Sequence, residues 1–191
     1  TSQFISYLFS QNLKSTSVNR KISSLKTFFN FLLKKKLIKA NPFADQIMPK
    51  KPISLPKSIS EDDVVKLLDT PKVDSLIGLR DRAMLELLYA SGVRISELVN
   101  IKFSDLDLER NIIKVFGKGS KERLVPFGED ASQCISAYID ERKKNKDIAS
   151  IKYIFLSNRG TKISRQAFWH RLKEYCLEIG LKQDISPHTL R

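Results

Sequence analysis

The sequence predicts an α+β fold that is mainly helical and carries a small antiparallel sheet. Three observations lead to this fold class. Apolar residues recur at helical spacing in several long segments, two short β-like runs flank the glycine-rich residues 117–120, and a proline-rich stretch divides the chain in two. A length of 191 residues allows one large domain or two small ones.

The first part is predicted to contain one helix of about 20 residues. Ser15, Thr16 and Ser17 offer its N-cap, and Asn41-Pro42 ends the segment. Its apolar stripe comprises Val18, Ile22, Leu25, Phe29 and Leu32, widened by Phe28 and Leu33. The opposite face comprises Asn19, Arg20, Ser23, Thr27, Asn30 and Lys34. Side chains of these types either bind phosphates and base edges or form an ordinary solvated face.

Residues 47–59 contain three prolines together with Lys50, Lys51 and Lys57, which predicts an extended basic linker. The linker either lies along a phosphate backbone or serves as a plain spacer. We therefore expect three regions: a helical domain at 1–46, the linker at 47–59, and a second domain at 60–191.

The second part begins with a capping pattern at Ser60 and continues with a buried helix over residues 76–89, which Gly92 ends in a left-handed cap. A short helix over residues 93–100 follows. Runs 111–116 and 121–126 are then predicted to form a β-hairpin, and 153–157 a third β run. Ser164 caps a further helix that Gly180 closes, and Ser186-Pro187 starts another.

The formal charge of +13 is unevenly placed. Residues 1–60 contain 11 Lys and Arg but one acid, Asp45, which indicates a polyanionic partner. Nucleic acid is the leading candidate and an anionic membrane surface the second, although neither a lipid-anchor motif nor an apolar run near 18 residues is present. Two cysteines, Cys134 and Cys176, give no disulfide framework and favour a reducing compartment.

The chemistry that stands out is cationic. The sequence lacks a phosphate-binding glycine loop, a His-Glu-x-x-His motif and any cysteine–histidine spacing typical of zinc, so no metal site is predicted. Arg94 follows a glycine break, Lys118 lies in the hairpin turn, and His188 and Arg191 share one face of a helix start. Two guanidiniums, a helix N-terminus and a mobile lysine together suit one phosphodiester.

Three motifs in order carry a family resemblance. Ala90-Ser91-Gly92-Val93-Arg94-Ile95-Ser96-Glu97-Leu98, Gly117-Lys118-Gly119-Ser120-Lys121-Glu122-Arg123-Leu124-Val125-Pro126 and Ser186-Pro187-His188-Thr189-Leu190-Arg191 resemble the tyrosine site-specific recombinases, most closely the Xer-type branch. The resemblance implies a C-shaped clamp around duplex DNA, built from a helical SAM-like core-binding domain and a catalytic domain.

The resemblance also implies roles for individual residues. Arg94 and Arg191 would hold the scissile phosphate, Lys118 would protonate the leaving 5′ oxygen, and His188 would assist proton transfer or bind the phosphate. Glu97 would orient Arg94, or would form only a surface ion pair. Strand exchange through a 3′-phosphotyrosyl link needs no metal, nucleotide or other cofactor.

The family's attacking tyrosine is expected beyond Arg191, because the five tyrosines of this chain all precede it. We therefore expect a truncated chain that binds double-stranded DNA but cannot cleave it. When intact, the protein would act in the cytoplasm, at the nucleoid, as a tetramer on two duplexes or with a related recombinase.

Sequence readout is expected from Arg165 and Gln166 in the first turn of the helix after Ser164, and from Asn19 and Arg20 in the first part. Lys50 and Lys51 are candidate backbone contacts, and phosphate contact alone is the alternative for all of them. The functional alternatives are a recombinase-like DNA-binding protein without cleavage activity, a phage or transposon integrase, and a topoisomerase-like enzyme.

Overall fold

The computed structural model describes residues 1–49, 59–117 and 121–181. The predicted fold class, mainly helical with a small antiparallel sheet, is confirmed. The chain divides into two compact units, Thr1–Leu55 and Pro56–Arg191. Within the described ranges, no helix is both long enough and apolar enough to cross a membrane. The helices are α1 Ser2–Ser10, α2 Ser15–Lys34, α3 Glu61–Asp69, α4 Leu76–Ser91, α5 Ile95–Leu98, α6 Glu129–Lys143, α7 Lys146–Ala149 and α8 Arg165–Glu178; the 3-10 turn is Phe103–Asp105, and the strands are β1 Leu106–Asp107, β2 Ile112–Phe116 and β3 Glu122–Pro126.

The first unit packs α1 and α2 around a small apolar core. The segment after α2 returns along that helix, where the Phe29 and Phe43 rings stack with centroids 5.5 Å apart. Nζ of Lys26 donates to the carbonyl of Ala44 at 3.0 Å, which fastens the returning segment. The buried apolar residues of this core are Leu8, Val18, Ile22 and Phe43.

Three expectations for α2 were wrong. The helix has the predicted length of 20 residues and ends before Lys36, which adopts a left-handed conformation with φ 57°, but its N-cap is Lys14, without a side-chain hydrogen bond, rather than one of the residues 15–17. Phe28 and Leu33, placed on the apolar stripe, are exposed. Asn19, placed on the exposed polar face, is buried: it lies only 60° around the helix from Ile22, and its Nδ2 donates to the Pro49 carbonyl at 2.8 Å.

The second unit is built around α4, which is buried on most sides and packs against α6. The three strands form an antiparallel sheet in the order β1-β2-β3, with Val115 paired to Arg123. Gly92 ends α4 at φ 58° as predicted, since its left-handed backbone lacks the strain that a Cβ would bring. The sheet and the helices thus enclose one apolar core.

Several parts of the second unit differ from the sequence prediction. Helices α6 and α7 and strand β1 were not predicted. The predicted third β run, residues 153–157, forms only isolated bridges at Tyr153 and Leu156. Three of its carbonyls bind buried guanidiniums: Arg142 donates to the carbonyls of Tyr153 and Ile154, and Arg80 to that of Leu156.

Helix α8 is held against α4 by a buried ionic cluster. The Asp81 carboxylate accepts hydrogen bonds from Arg80, from Arg171 at 2.9 Å and from the Tyr175 hydroxyl at 2.8 Å. Ser164 Oγ accepts from the Ala167 N–H at 3.0 Å and caps the helix as predicted. These contacts fix where the first turn of α8 lies.

Candidate functional site

Arg94 occupies the junction between α4 and α5. The left-handed Gly92 turns the chain, Val93 is buried in the core, and Arg94 then takes the N-cap position of α5 with an extended backbone. The side chain of Arg94 is 52% exposed. The turn therefore anchors the backbone on one side and presents the guanidinium to solvent.

Glu97 holds Arg94 through two contacts. Its Oε2 accepts a hydrogen bond from the backbone N–H of Arg94 at 2.8 Å, and its Oε1 accepts from Nη1 at 3.1 Å. The Glu97 side chain is only 4% exposed, so this pair is not an exposed surface ion pair. Because both oxygens are engaged, Glu97 restricts both the backbone and the guanidinium of Arg94.

A second arginine, Arg123 on β3, also binds Glu97. Its Nη1 donates to Oε1 at 2.9 Å and its Nη2 to Oε2 at 2.7 Å, which is the bidentate geometry that arginine and carboxylate favour. Arg123 lies in the second of the three motifs, but no role was expected for it from the sequence. One signal could have found it. Arg123 lies two residues before Val125, so both side chains are on the inward side of the strand, where a charged group needs a partner.

The hydrogen bonds decide the charge of Glu97. Burial by itself would raise the pKa of this carboxyl, but the bonds from Arg123 and Arg94 outweigh it and lower the pKa to about 2. The bond to Glu97 in turn raises the pKa of Arg123. Glu97 is therefore ionised at neutral pH, and because arginine side chains are always charged in proteins, the cluster of Arg94, Glu97 and Arg123 carries a net charge of +1.

This arrangement suits an anion. Glu97 occupies one of the five N–H donors of Arg94, and the half-exposed guanidinium offers the others to solvent. A cleft of about 280 Å³ adjoins Glu97, and its lining includes two lysines, Lys102 and Lys114, and one further acid, Asp105. Among the described residues, no group of His, Cys, Asp and Glu is placed to hold a metal ion.

Comparison with known families decides the class of the protein. The model of the phage integrase family matches residues 57–191, which include Arg94, Glu97 and Arg123. The chain belongs to the phage integrase family. Its curated relatives include the tyrosine recombinase XerD of Proteus mirabilis, 43% identical over 98% of this chain and 61% of the relative, and that of Vibrio vulnificus, 42% identical over 99% of this chain and 63% of the relative. The chain thus spans under two thirds of the length of these relatives.

Solved structures of the family share the fold. The XerA recombinase is 27% identical, with a TM-score of 0.64 over 99% of this chain and 64% of that one. The XerH recombinase bound to palindromic difH substrate is 16% identical, with a TM-score of 0.80 over 98% of this chain and 57% of that one. The Tn1549 transposon integrase, in complex with circular intermediate DNA, is 20% identical, with a TM-score of 0.76 over 98% of this chain and 67% of that one. At these identities the last two show a common fold only.

The remaining site residues predicted from the sequence fall into three groups. Arg20 on α2 and Arg165 and Gln166 on α8 are exposed. Asn19 is buried, so its side chain is not available to a nucleic acid. The other predicted residues, Lys50, Lys51, Lys118, His188 and Arg191, lie outside the described residues, so their roles stay predictions.

Proposed function

We propose that the protein is a site-specific tyrosine recombinase that acts on duplex DNA in the resolution of chromosome or plasmid dimers. The observation that carries the proposal is Arg94, a half-exposed guanidinium fixed by the ionised Glu97 within a phage integrase domain. The relatives named tyrosine recombinase XerD, at 42–43% identity, support the Xer-type role.

In the proposed mechanism, the protein supplies a positive pocket for one scissile phosphate. Arg94 donates to the non-bridging oxygens and stabilises the charge that develops on them during attack. Arg191 binds the same phosphate, Lys118 protonates the leaving 5′ oxygen, and His188 assists proton transfer. The 3′-phosphotyrosyl link retains the energy of the phosphodiester, so strand exchange requires no nucleotide cofactor.

DNA binding rests on charge and on exposed side chains. The excess of basic residues in the first 60 residues, together with Lys50 and Lys51, provides contacts to the phosphate backbone. Arg20, Arg165 and Gln166 are exposed and of the types that read base edges. The XerH and Tn1549 integrase structures, which contain DNA, support a duplex as the partner.

The proposal includes an arrangement and an assembly. A core-binding domain at 1–46, a linker at 47–59 and a catalytic domain at 60–191 would form a C-shaped clamp on the duplex. Two duplexes would be joined by a tetramer, either of this protein alone or with a related recombinase, at the nucleoid. Sedimentation of the protein with a duplex carrying its site tests this stoichiometry.

Salt dependence of binding is the first test. Affinity for a duplex should fall by about 1,000-fold or more between 50 and 200 mM salt, because many phosphates are neutralised. Fluorescence anisotropy with a labelled duplex measures this fall. A flat response would contradict a basic DNA-binding surface.

Covalent attachment is the decisive test. A form of the protein that includes the attacking tyrosine is incubated with duplexes selected from a random library by binding. A protein–DNA adduct that survives denaturant should form, and Arg94→Gln should abolish it. Arg110→Gln is the matched control, because Arg110 is exposed and makes only a 3.9 Å ion pair to Asp107. Binding without any adduct would favour a recombinase-like protein that cannot cleave, and relaxation of plasmids lacking the site would favour a topoisomerase.

A further inference from the structure

We propose that Arg123 is a positioning residue of the recombination reaction: it holds Glu97, and through Glu97 it fixes the guanidinium of Arg94 relative to the β2–β3 hairpin. This inference rests on the proposed function and adds a residue whose role the sequence does not predict.

The geometry makes Glu97 the centre of a bridge. Arg123 fills both carboxylate oxygens from β3, at 2.9 and 2.7 Å, while Arg94 reaches the same two oxygens from the start of α5, at 3.1 and 2.8 Å. A bidentate contact fixes the plane of the carboxylate as well as its position. The direction in which Arg94 points therefore depends on Arg123.

The bridge also reaches the base of the hairpin turn. A Cβ placed on Gly117 would lie 3.5 Å from Nη1 of Arg123, so the guanidinium lies beside the residue that precedes Lys118 in the chain. The Gly117 N–H donates to the Lys121 carbonyl at 2.9 Å and closes the described end of the hairpin. Arg123 thus joins two segments that, in the proposed mechanism, supply a phosphate ligand and the general acid.

Charge provides a second reason for Arg123. The ion pair of Arg94 and Glu97 alone would be neutral, and a neutral pair would only weakly stabilise the charge that develops on the phosphate oxygens during attack. Arg123 restores a charge of +1 to the cluster while leaving half of the Arg94 side chain open to solvent. The side chain of Arg123 is itself 38% exposed, so a direct contact with DNA is the competing explanation that a test must separate.

The first experiment is a kinetic double-mutant cycle in a form of the protein that includes the attacking tyrosine. Arg123→Gln should lower the single-turnover cleavage rate at saturating DNA by about 10–100-fold while changing DNA affinity less than about twofold. In the variant that already carries Glu97→Gln, adding Arg123→Gln should lower the cleavage rate by less than about a further twofold, because Arg123 acts through Glu97. If the fold reductions caused by the two single substitutions multiply in the double variant, the proposal is overturned.

Controls separate positioning from folding and from DNA contact. Arg123→Lys, which keeps one charged donor, should give a rate between those of the wild type and Arg123→Gln. Arg110→Gln should leave the rate unchanged. If Arg123 contacted DNA directly, Arg123→Gln would reduce the salt dependence of binding by about one phosphate contact, and the proposal would fail. Circular dichroism at the assay temperature establishes that each variant is folded.

A final measurement needs no activity, so it remains decisive even if the wild type forms no adduct and the proposed function fails. In NMR spectra of the arginine side chains, the Arg94 guanidinium should show distinct, slowly rotating Nη–H resonances in the wild type. Arg123→Gln should average them, whereas Arg110→Gln should not. Unchanged Arg94 resonances in Arg123→Gln would show that Arg123 does not fix Arg94.

Discussion

Replacing Glu97 with glutamine removes the carboxylate that accepts hydrogen bonds from both Arg94 and Arg123. The amide has nearly the same shape but a single acceptor oxygen, and its NH₂ group faces guanidinium donors. The change therefore breaks the bidentate contact with Arg123 and leaves two cations close together without an anion between them.

The expected loss of stability follows from the pKa. A carboxyl whose pKa is lowered from 4.5 to about 2 is stabilised in its ionised form by about 3 kcal/mol. Arg94 and Arg123 are partly exposed, and screening by solvent reduces the value to about 2 kcal/mol. We expect Glu97→Gln to lower the free energy of unfolding by about this amount at pH 7.

The pH dependence has a definite direction. Glu97 binds a proton more weakly in the folded protein than in the unfolded chain, so its contribution is fully present above about pH 4.5. It is lost as the pH falls from there through about 2. The difference in unfolding free energy between wild type and Glu97→Gln should stay constant from pH 7 to pH 5 and become smaller below pH 5.

Urea unfolding followed by tryptophan fluorescence is the assay. Trp169 is the single tryptophan of the sequence and lies half-buried on α8, so its signal reports on the second unit. Glu109→Gln is the control, because Glu109 is exposed in the turn before β2 and the substitution removes the same group. A difference that persists unchanged to pH 3, or no difference at pH 7, would refute the ion-pair reasoning.

Three further outcomes are expected. Arg142→Met should destabilise the fold by about 3–5 kcal/mol in urea unfolding, since it leaves the buried carbonyls of residues 148–154 without their donor, whereas Lys143→Met next to it should have little effect. Lys118→Ala should slow cleavage far more than it weakens DNA binding, and equal losses would remove Lys118 as the general acid. Arg165→Ala should change which duplexes are selected from a random library, whereas a uniform loss of affinity would make Arg165 a phosphate contact.

The elements that could be predicted are those specified by local patterns. Helix α4 and its Gly92 cap, the Ser164 cap of α8 and the β2–β3 hairpin follow from spacing and turn residues within a few positions. Helix α6 was missed for a physical reason. Its apolar stripe of Ile135, Tyr138 and Ile139 continues at Arg142, which is buried but has the composition of a solvated face.

The wrong prediction of a β run at residues 153–157 also results from buried arginines. Its apolar side chains are buried as a strand would require, but backbone pairing depends on what lies opposite. Guanidiniums of Arg142 and Arg80 bind three carbonyls of the segment, and no pattern within the segment encodes donors that are 11 and 76 residues away. Buried arginines thus account for two of the errors, because a sequence pattern treats them as surface residues.

The candidate site likewise contains one contact that local spacing predicts and one that it does not. Glu97 lies three residues from Arg94, one helical turn away, so their pairing could be expected from spacing. Arg123 lies 26 residues from Glu97, and its contact depends on the register that pairs it with Val115 and turns its side chain inward. Leu124 is exposed in the observed register. A slip of one residue would turn Arg123 outward and bring Leu124 to face Glu97 instead. The net charge beside Arg94 is therefore set by strand register, which is why the motif containing Arg94 alone could not reveal it.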